Sequence, residues 1–218
     1  MDISKLFTSY IFIKTFEHML LSLYSLFISI IIAIPLGILL AKTRFRKLAT
    51  FILKLTSIVQ TIPGLALIAL LVVALVFIRT FFPLPVTGFF PSIIVLSLYA
   101  ILPILANTYY GIKQVNPTMI EVAKGMGMRP YQILFSVQLP LSLGLIITGI
   151  RISLVWTIGM ATLTSLVGSG GLGDLIMQGL RSMQIELIIA GTLPAAILAL
   201  FFDWLISILS KWLVFAKE

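Results

Sequence analysis

The chain has 218 residues, 60% of them hydrophobic and 10% charged, with a mean hydropathy of +1.18. A soluble domain carries about a quarter charged residues, so the composition excludes an ordinary water-soluble domain and points to an integral membrane protein. Fifteen Lys and Arg against seven acids give +8, yet the basic residues cluster between apolar runs, where they report topology rather than a polyanion partner; without cysteine there are no disulfides, thiol chemistry or cysteine-based metal sites.

The opening "MDISKLFTSYIFIKTFEHML" runs into apolar sequence without a small-residue cleavage site, and an uncleaved first span is expected. About 20 apolar residues at about 1.5 Å each cross the hydrocarbon core. Stretches that satisfy this are Met19–Ala41, Leu55–Ile78, Phe89–Ile112 and Leu187–Ser210. Between Tyr131 and Leu172 lie two more uncharged runs divided by Arg151. A hairpin of about one residue is too short to join neighbouring helices, so a single span, roughly Leu143–Val167, is predicted. The predicted fold is an all-α membrane protein of about five transmembrane helices. Residues 1–16 read as an N-terminal tail, 17–205 as the membrane domain, and 206–218 as the end of the last span with a C-terminal tail.

Lys42, Arg44, Arg46, Lys47 and Lys54 flank the first loop, Lys113, Lys124 and Arg129 lie in the third, and Lys211 and Lys217 close the chain. The second loop carries only Arg79, and the fourth only Asp174, Arg181 and Glu186. The positive-inside rule therefore predicts an outside N-terminus and an inside C-terminus.

The third loop contains "NPTMIEVAKGMGMRPYQILFSVQLP". Asn116 is a good N-cap, Pro117 suits the first helical position, and Gly125 with Gly127 ends the helix. A second helix restarts near Pro130, places Tyr131, Leu134, Phe135 and Gln138 on one face, and is expected to stop before Pro140. On pattern alone this helix, glycine turn and helix fits two roles. It can rest on lipid headgroups, or seat its apolar face in a groove of another protein.

The residues Glu121, Ala123, Gly127, Leu139 and Pro140 fall at the spacing E-A-A, three residues, G, nine residues, I-x-L-P. That spacing resembles the signature of permease subunits of ATP-binding-cassette importers, with Val122 in place of the middle alanine and Val137 in place of the isoleucine. The resemblance implies a type I importer permease fold and makes the segment a coupling-helix pair seated in a cytoplasmic ATPase. A side chain at Gly127 would block the tight turn or the partner's approach. "VQTIPGLALIAL", "LPILANTYYGIKQVNP", "GIRISLVWTIGMATLTSLVGSGGLGD" and "AGTLPAAILALFFDWL" look like the branch that imports the osmoprotectants glycine betaine, carnitine and choline. The resemblance further implies a second permease subunit, identical or sister, an extracellular substrate-binding protein, and a bacterial cytoplasmic membrane. ATP would be bound by the ATPase, leaving this chain without a cofactor. A permease for another small solute such as an amino acid, and a non-transport scaffold or channel, are the other readings.

Further features keep two readings each. Pro63 and Gly64 in "QTIPG" make either a packing kink or, with Thr61, a break lining the translocation path; Pro35, Pro103 and Pro194 interrupt other spans similarly. Arg151 lies about 12 Å along its span, where it can snorkel, pair or act in gating, and Asp203 has the same choice. "GSGGLGD" lacks the Lys-Ser/Thr pair of a phosphate loop and reads as a turn across the outer mouth or as an ordinary loop. Tyr99, Tyr109, Tyr110 and Trp156 can hold quaternary ammonium groups by cation–π attraction or anchor the interface. His18 has no second histidine to complete a metal or nucleophile set, and carboxylates for a proton relay are missing apart from Asp203, which argues for energy supplied from outside the chain.

Overall fold

The computed structural model describes residues 3–43 and 46–215, and every regular element among them is helical. Arg44 and Lys217, two of the residues used to orient the chain, lie outside the described part. Helix α1 (Ile3–Lys42) is followed by α2 (Arg46–Thr61), α3 (Gly64–Arg79) and α4 (Phe89–Lys113). The short α5 (Pro117–Gly125) and α6 (Pro130–Ile133) lead through a π turn (Leu134–Gln138) into α7 (Leu139–Thr164). Then come α8 (Leu172–Ser182) and α9 (Ile185–Phe215). Among the described residues, four helical stretches are long and apolar enough to cross a membrane: Phe7–Lys42, Phe89–Lys113, Pro130–Val167 and Ile185–Trp212. Arg151 sits inside one continuous helix, as the single-span reading required.

The second predicted span, Leu55–Ile78, is not one helix. It breaks between Thr61 and Gly64, and the arms Lys47–Thr61 and Gly64–Arg79 meet at a bend of 103°. Pro63 has no backbone donor and disfavours helical geometry in Ile62 before it, so the ladder stops there. The bent pair makes a fifth span only if its arms are counted together. Pro35, Pro103 and Pro194, by contrast, stay inside α1, α4 and α9 without interrupting them. The helix that begins at Pro130 also fails to stop before Pro140. Its backbone widens into the π turn, where the Leu139 amide donates to the Leu134 carbonyl five residues back, and Pro140 enters the first turn of α7. The wider turn relieves the clash that a proline ring makes with the carbonyl four residues before it.

Lipid tails are as apolar as leucine, so helices in a membrane associate through close packing and interhelical hydrogen bonds rather than hydrophobic drive. The contacts of α4 with α1 and α7 follow that rule. Ser29 Oγ donates to the Ser97 carbonyl at 3.0 Å and Ser97 Oγ to the Ser25 carbonyl at 3.2 Å, a reciprocal pair that joins α1 to α4. Ser153 Oγ donates to the Ala100 carbonyl at 2.7 Å and joins α7 to α4. At Gly149 the two backbones approach so closely that a Cβ would stand 2.7 Å from the Pro103 carbonyl oxygen. Around these polar contacts Leu26, Leu40, Ile104, Leu105, Leu154 and Ile158 fill the core. The outer faces keep large apolar side chains exposed, among them Phe27, Val73, Phe77 and Leu200.

The close approach makes a paired prediction. Gly149→Ala lowers the thermal stability of the purified protein by about 1–3 kcal/mol, the range for overpacking. Gly159→Ala, at a helical glycine with open space where the Cβ would go, leaves it unchanged or raises it by about 0.4–1 kcal/mol. Melting curves of the two variants in one detergent decide it, and equal losses would contradict the packing.

Candidate functional site

The α5–α6 segment is built by its own backbone. Asn116 Oδ1 accepts the Thr118 amide at 2.9 Å, and Pro117 opens α5, as read from the sequence. Past Gly125, the Met128 amide donates to the Ala123 carbonyl at 3.1 Å and the Gly127 amide to Lys124 at 2.9 Å. These bonds form a Schellman motif with Gly127 in the left-handed position, φ +78°. No atom lies within 4 Å of where a Gly127 Cβ would stand, so the glycine is required by its dihedral and not by crowding within the chain. Ala123 is buried where α5 packs against α6 and the π turn. The Gln132 side chain accepts the Arg129 amide at 2.7 Å and starts α6; this cap is half of a capping box and escaped the sequence reading because its first residue is not Ser or Thr.

The predicted face of Tyr131, Leu134, Phe135 and Gln138 is split. Leu134 is buried beside Ile133, Gln138 is half-buried, and Tyr131 and Phe135 are exposed. With Met119, Val122 and Met126, also exposed, they give this end of the bundle an unpartnered apolar surface. Glu121 is exposed there too, whereas Val137, Leu139 and Pro140 are half-buried at the root of α7.

The break between α2 and α3 is held by α4. Thr61 ends α2 with its hydroxyl bonded to the Ile58 carbonyl at 2.7 Å, Pro63 precedes α3, and Gly64 begins it. A Cβ on Gly64 would meet the end of the flexible Met160 side chain of α7, which can swing aside. The Ile62 carbonyl, deprived of its helical partner, accepts the Tyr99 hydroxyl, and Gln60 Nε2 donates to the Tyr99 carbonyl at 2.9 Å. Tyr99 is therefore a latch on the break and does not present its ring as a free surface. Tyr109 and Tyr110 lie nearer the α5 end of α4, in a cleft between α2 and α4. Trp156 is exposed on α7 one turn before Met160 and does not line that cleft. The six path candidates thus fall into three places: Thr61, Pro63 and Gly64 at the break, the two tyrosines in the cleft, and Trp156 apart.

Arg151 and Asp203 do pair. The guanidinium grips the carboxylate through Nε and through Nη2, the latter at 2.6 Å, and so clamps α7 to α9. At the opposite end of the bundle from α5, Lys14 of the segment read as an N-terminal tail and Glu17 just beyond it make long-range contacts. Lys14 Nζ lies 2.9 Å from Glu17 and 2.8 Å from Asp174, and Glu17 accepts the Gly171 amide at 2.9 Å. These bonds brace "GSGGLGD", whose Gly168, Gly170 and Gly171 all have φ near +80°, and fix the start of α8. His18 is fully buried, its Nε2 2.9 Å from the Ile158 carbonyl. A carbonyl only accepts, so Nε2 carries the proton.

The apolar helices, the broken span and the clamped bundle define a multi-pass membrane protein. The chain belongs to the family of binding-protein-dependent transport system inner membrane components, whose model matches residues 33–215. It is 41% identical over 198 residues to the choline transport system permease protein OpuBB of Bacillus subtilis (strain 168), covering 91% of this chain and 86% of that one. It is 42% identical over 198 residues, with the same coverage, to the glycine betaine/carnitine/choline transport system permease protein OpuCB of the same organism. Its fold matches a chain of the MetNI methionine ABC transporter in an inward-facing conformation, with a TM-score of 0.82 at 22% identity over 98% of this chain and 99% of that one. This is thus a transport permease component of an ATP-binding-cassette importer, a membership that implies an ATPase and a substrate-binding protein as partners.

Two outcomes test the assigned contacts. Tyr99→Phe leaves the Ile62 carbonyl without its donor and lowers stability by about 1–3 kcal/mol, readable as a lower melting temperature. Arg151→Asp and Asp203→Arg each reduce the yield of folded protein, and the double exchange recovers part of it; a double variant no better than the singles would show that the pair does not join α7 to α9.

Proposed function

We propose that this permease forms the translocation path for small quaternary ammonium osmoprotectants, glycine betaine, carnitine and choline, in a bacterial cytoplasmic membrane. The relatives named for those solutes, at about two-fifths identity over nine-tenths of the chain, support the solute class. The reading of mechanism is carried by one observation: the capped α5–α6 segment exposes Met119, Val122, Met126, Tyr131 and Phe135 at one end of the bundle. An apolar face on a rigidly capped helix pair is suited to a groove of a partner.

In this reading that end is cytoplasmic, with the N-terminus outside and the C-terminus inside, in line with the basic residues of the first and third loops. Two permease subunits pair in the membrane, the binding protein delivers solute to the outer face, and each α5–α6 segment docks on an ATPase that holds the ATP. Closure of the ATPases moves α5 and α6. That displacement reaches α4 and α7 directly, because α5 follows α4 across Gln114–Asn116 and α6 runs through the π turn into α7.

Reconstituted complex tests the solute: betaine, carnitine and choline stimulate ATP hydrolysis and amino acids do not. Stimulation by an amino acid alone would move the protein to another solute class. Gly127→Trp and Glu121→Lys each lower stimulated ATP hydrolysis and uptake by about tenfold, equivalent to ~1.4 kcal/mol of docking free energy. Unchanged coupling in both variants would overturn the docking role of the segment.

A further inference from the structure

The cleft between α2 and α4 lies between the broken span and the α5 end, and its walls differ in chemistry. Lys54, Thr50 and Ser57 line it from α2, and Ala106, Tyr109 and Tyr110 from α4. Its volume is about 490 Å³, within the range of about 300–1,000 Å³ usual for small-molecule sites. The two tyrosine rings meet edge to face, 5.1 Å apart between centroids at 77° to each other, so Tyr109 backs Tyr110 rather than adding a second free face. Tyr110 is exposed and Tyr109 buried behind it. A quaternary ammonium group has no N–H to donate, and an aromatic face attracts it through the ring quadrupole.

No carboxylate is among the lining residues, and the one charged group is the Lys54 ammonium. A cation without a compensating anion is therefore repelled by one wall while it is attracted by the other. A zwitterion meets both walls favourably, carboxylate toward Lys54 and trimethylammonium toward the Tyr110 ring. We propose that this cleft is a translocation subsite for carboxylate-bearing quaternary ammonium solutes, with Lys54 receiving the carboxylate and the Tyr110 ring, backed by Tyr109, the cation. The proposal rests on the osmoprotectant reading and sharpens it: betaine and carnitine are held here, whereas choline, which lacks the carboxylate, passes without that hold.

The test uses the reconstituted complex with its binding protein saturated separately with betaine, carnitine or choline, so that a change in relative uptake comes from the permease. Lys54→Gln lowers the ratio of betaine or carnitine uptake to choline uptake by about tenfold, the worth of one charge-assisted hydrogen bond. Lys54→Arg recovers most of it. Tyr110→Ala lowers uptake of all three solutes, and Tyr110→Phe, which keeps the ring, does not. A ratio within about twofold of wild type in Lys54→Gln, too small for such a bond, overturns the proposal, as does equal behaviour of Tyr110→Phe and Tyr110→Ala. A second measurement does not depend on a charge-removing variant. The chain has no cysteine, so Ser57→Cys provides one thiol in the cleft, and betaine or carnitine slows its alkylation in the complex more than choline does. Equal labelling with and without betaine and carnitine counts against the site. If the wild-type complex imports none of the three solutes, the osmoprotectant reading itself falls, which is a different result from an unmoved ratio.

Discussion

One turn of α4 holds the molecule together. Ser97 exchanges hydrogen bonds with α1, Tyr99 caps the carbonyl released at the α2–α3 break, and the Ala100 carbonyl accepts Ser153 of α7. Residues 97 to 100 thus reach three neighbouring elements. Such contacts are possible because the helices meet through serines and glycines, which allow backbone carbonyls themselves to act as the acceptors. In hydrocarbon an unmet polar group is costly, so each of these bonds both joins two helices and fixes their relative register. The broken span keeps its bend because a continuous helix beside it supplies the missing partner.

That arrangement bears on how movement would spread in the proposed transport cycle. Force entering at α5 and α6 meets two helices already tied to each other at Gly149 and Ser153. Through Tyr99, α4 also grips the break, so a shift of α4 along its axis carries the joint between α2 and α3 with it. The far end is held differently, by charge: Lys14, Glu17 and Asp174 tie α1 to the start of α8. Polar packing in the middle, an ion-pair brace at one end and an exposed apolar segment at the other divide the bundle into parts held by different interactions.

How much of this could be read beforehand depended on the range of the interactions involved. The α5 helix was legible because its caps are local: Asn116, Pro117 and Gly127 act within a few residues of themselves. The single span through Arg151 followed from loop length. The break at Pro63 was legible as one of two readings, but its choice over a kink depended on Tyr99, thirty-seven residues from the Ile62 carbonyl it bonds. The prolines at 35, 103 and 194 carry the same local signal as Pro63 and leave their helices continuous, so the residue alone does not decide. The brace of Lys14 and Glu17 lay hidden because its partners are more than 150 residues distant. The signature residues themselves divide physically: Ala123 and Gly127 shape the segment, and Glu121 and Val122 are left exposed on it.

The π turn before Pro140 has a consequence for direction. Each residue of an α-helix advances about 100° around its axis, and a π turn takes up one residue more than an α turn. The side chains of α6 are therefore rotated, relative to those of α7, by about that amount from where an uninterrupted helix would put them. Ile133 and Leu134 face inward, and Tyr131 and Phe135 face out. The ring of Pro140, by making the wider turn favourable, sets the azimuth at which the apolar face leaves the bundle, in the way that an offset key turns a shaft.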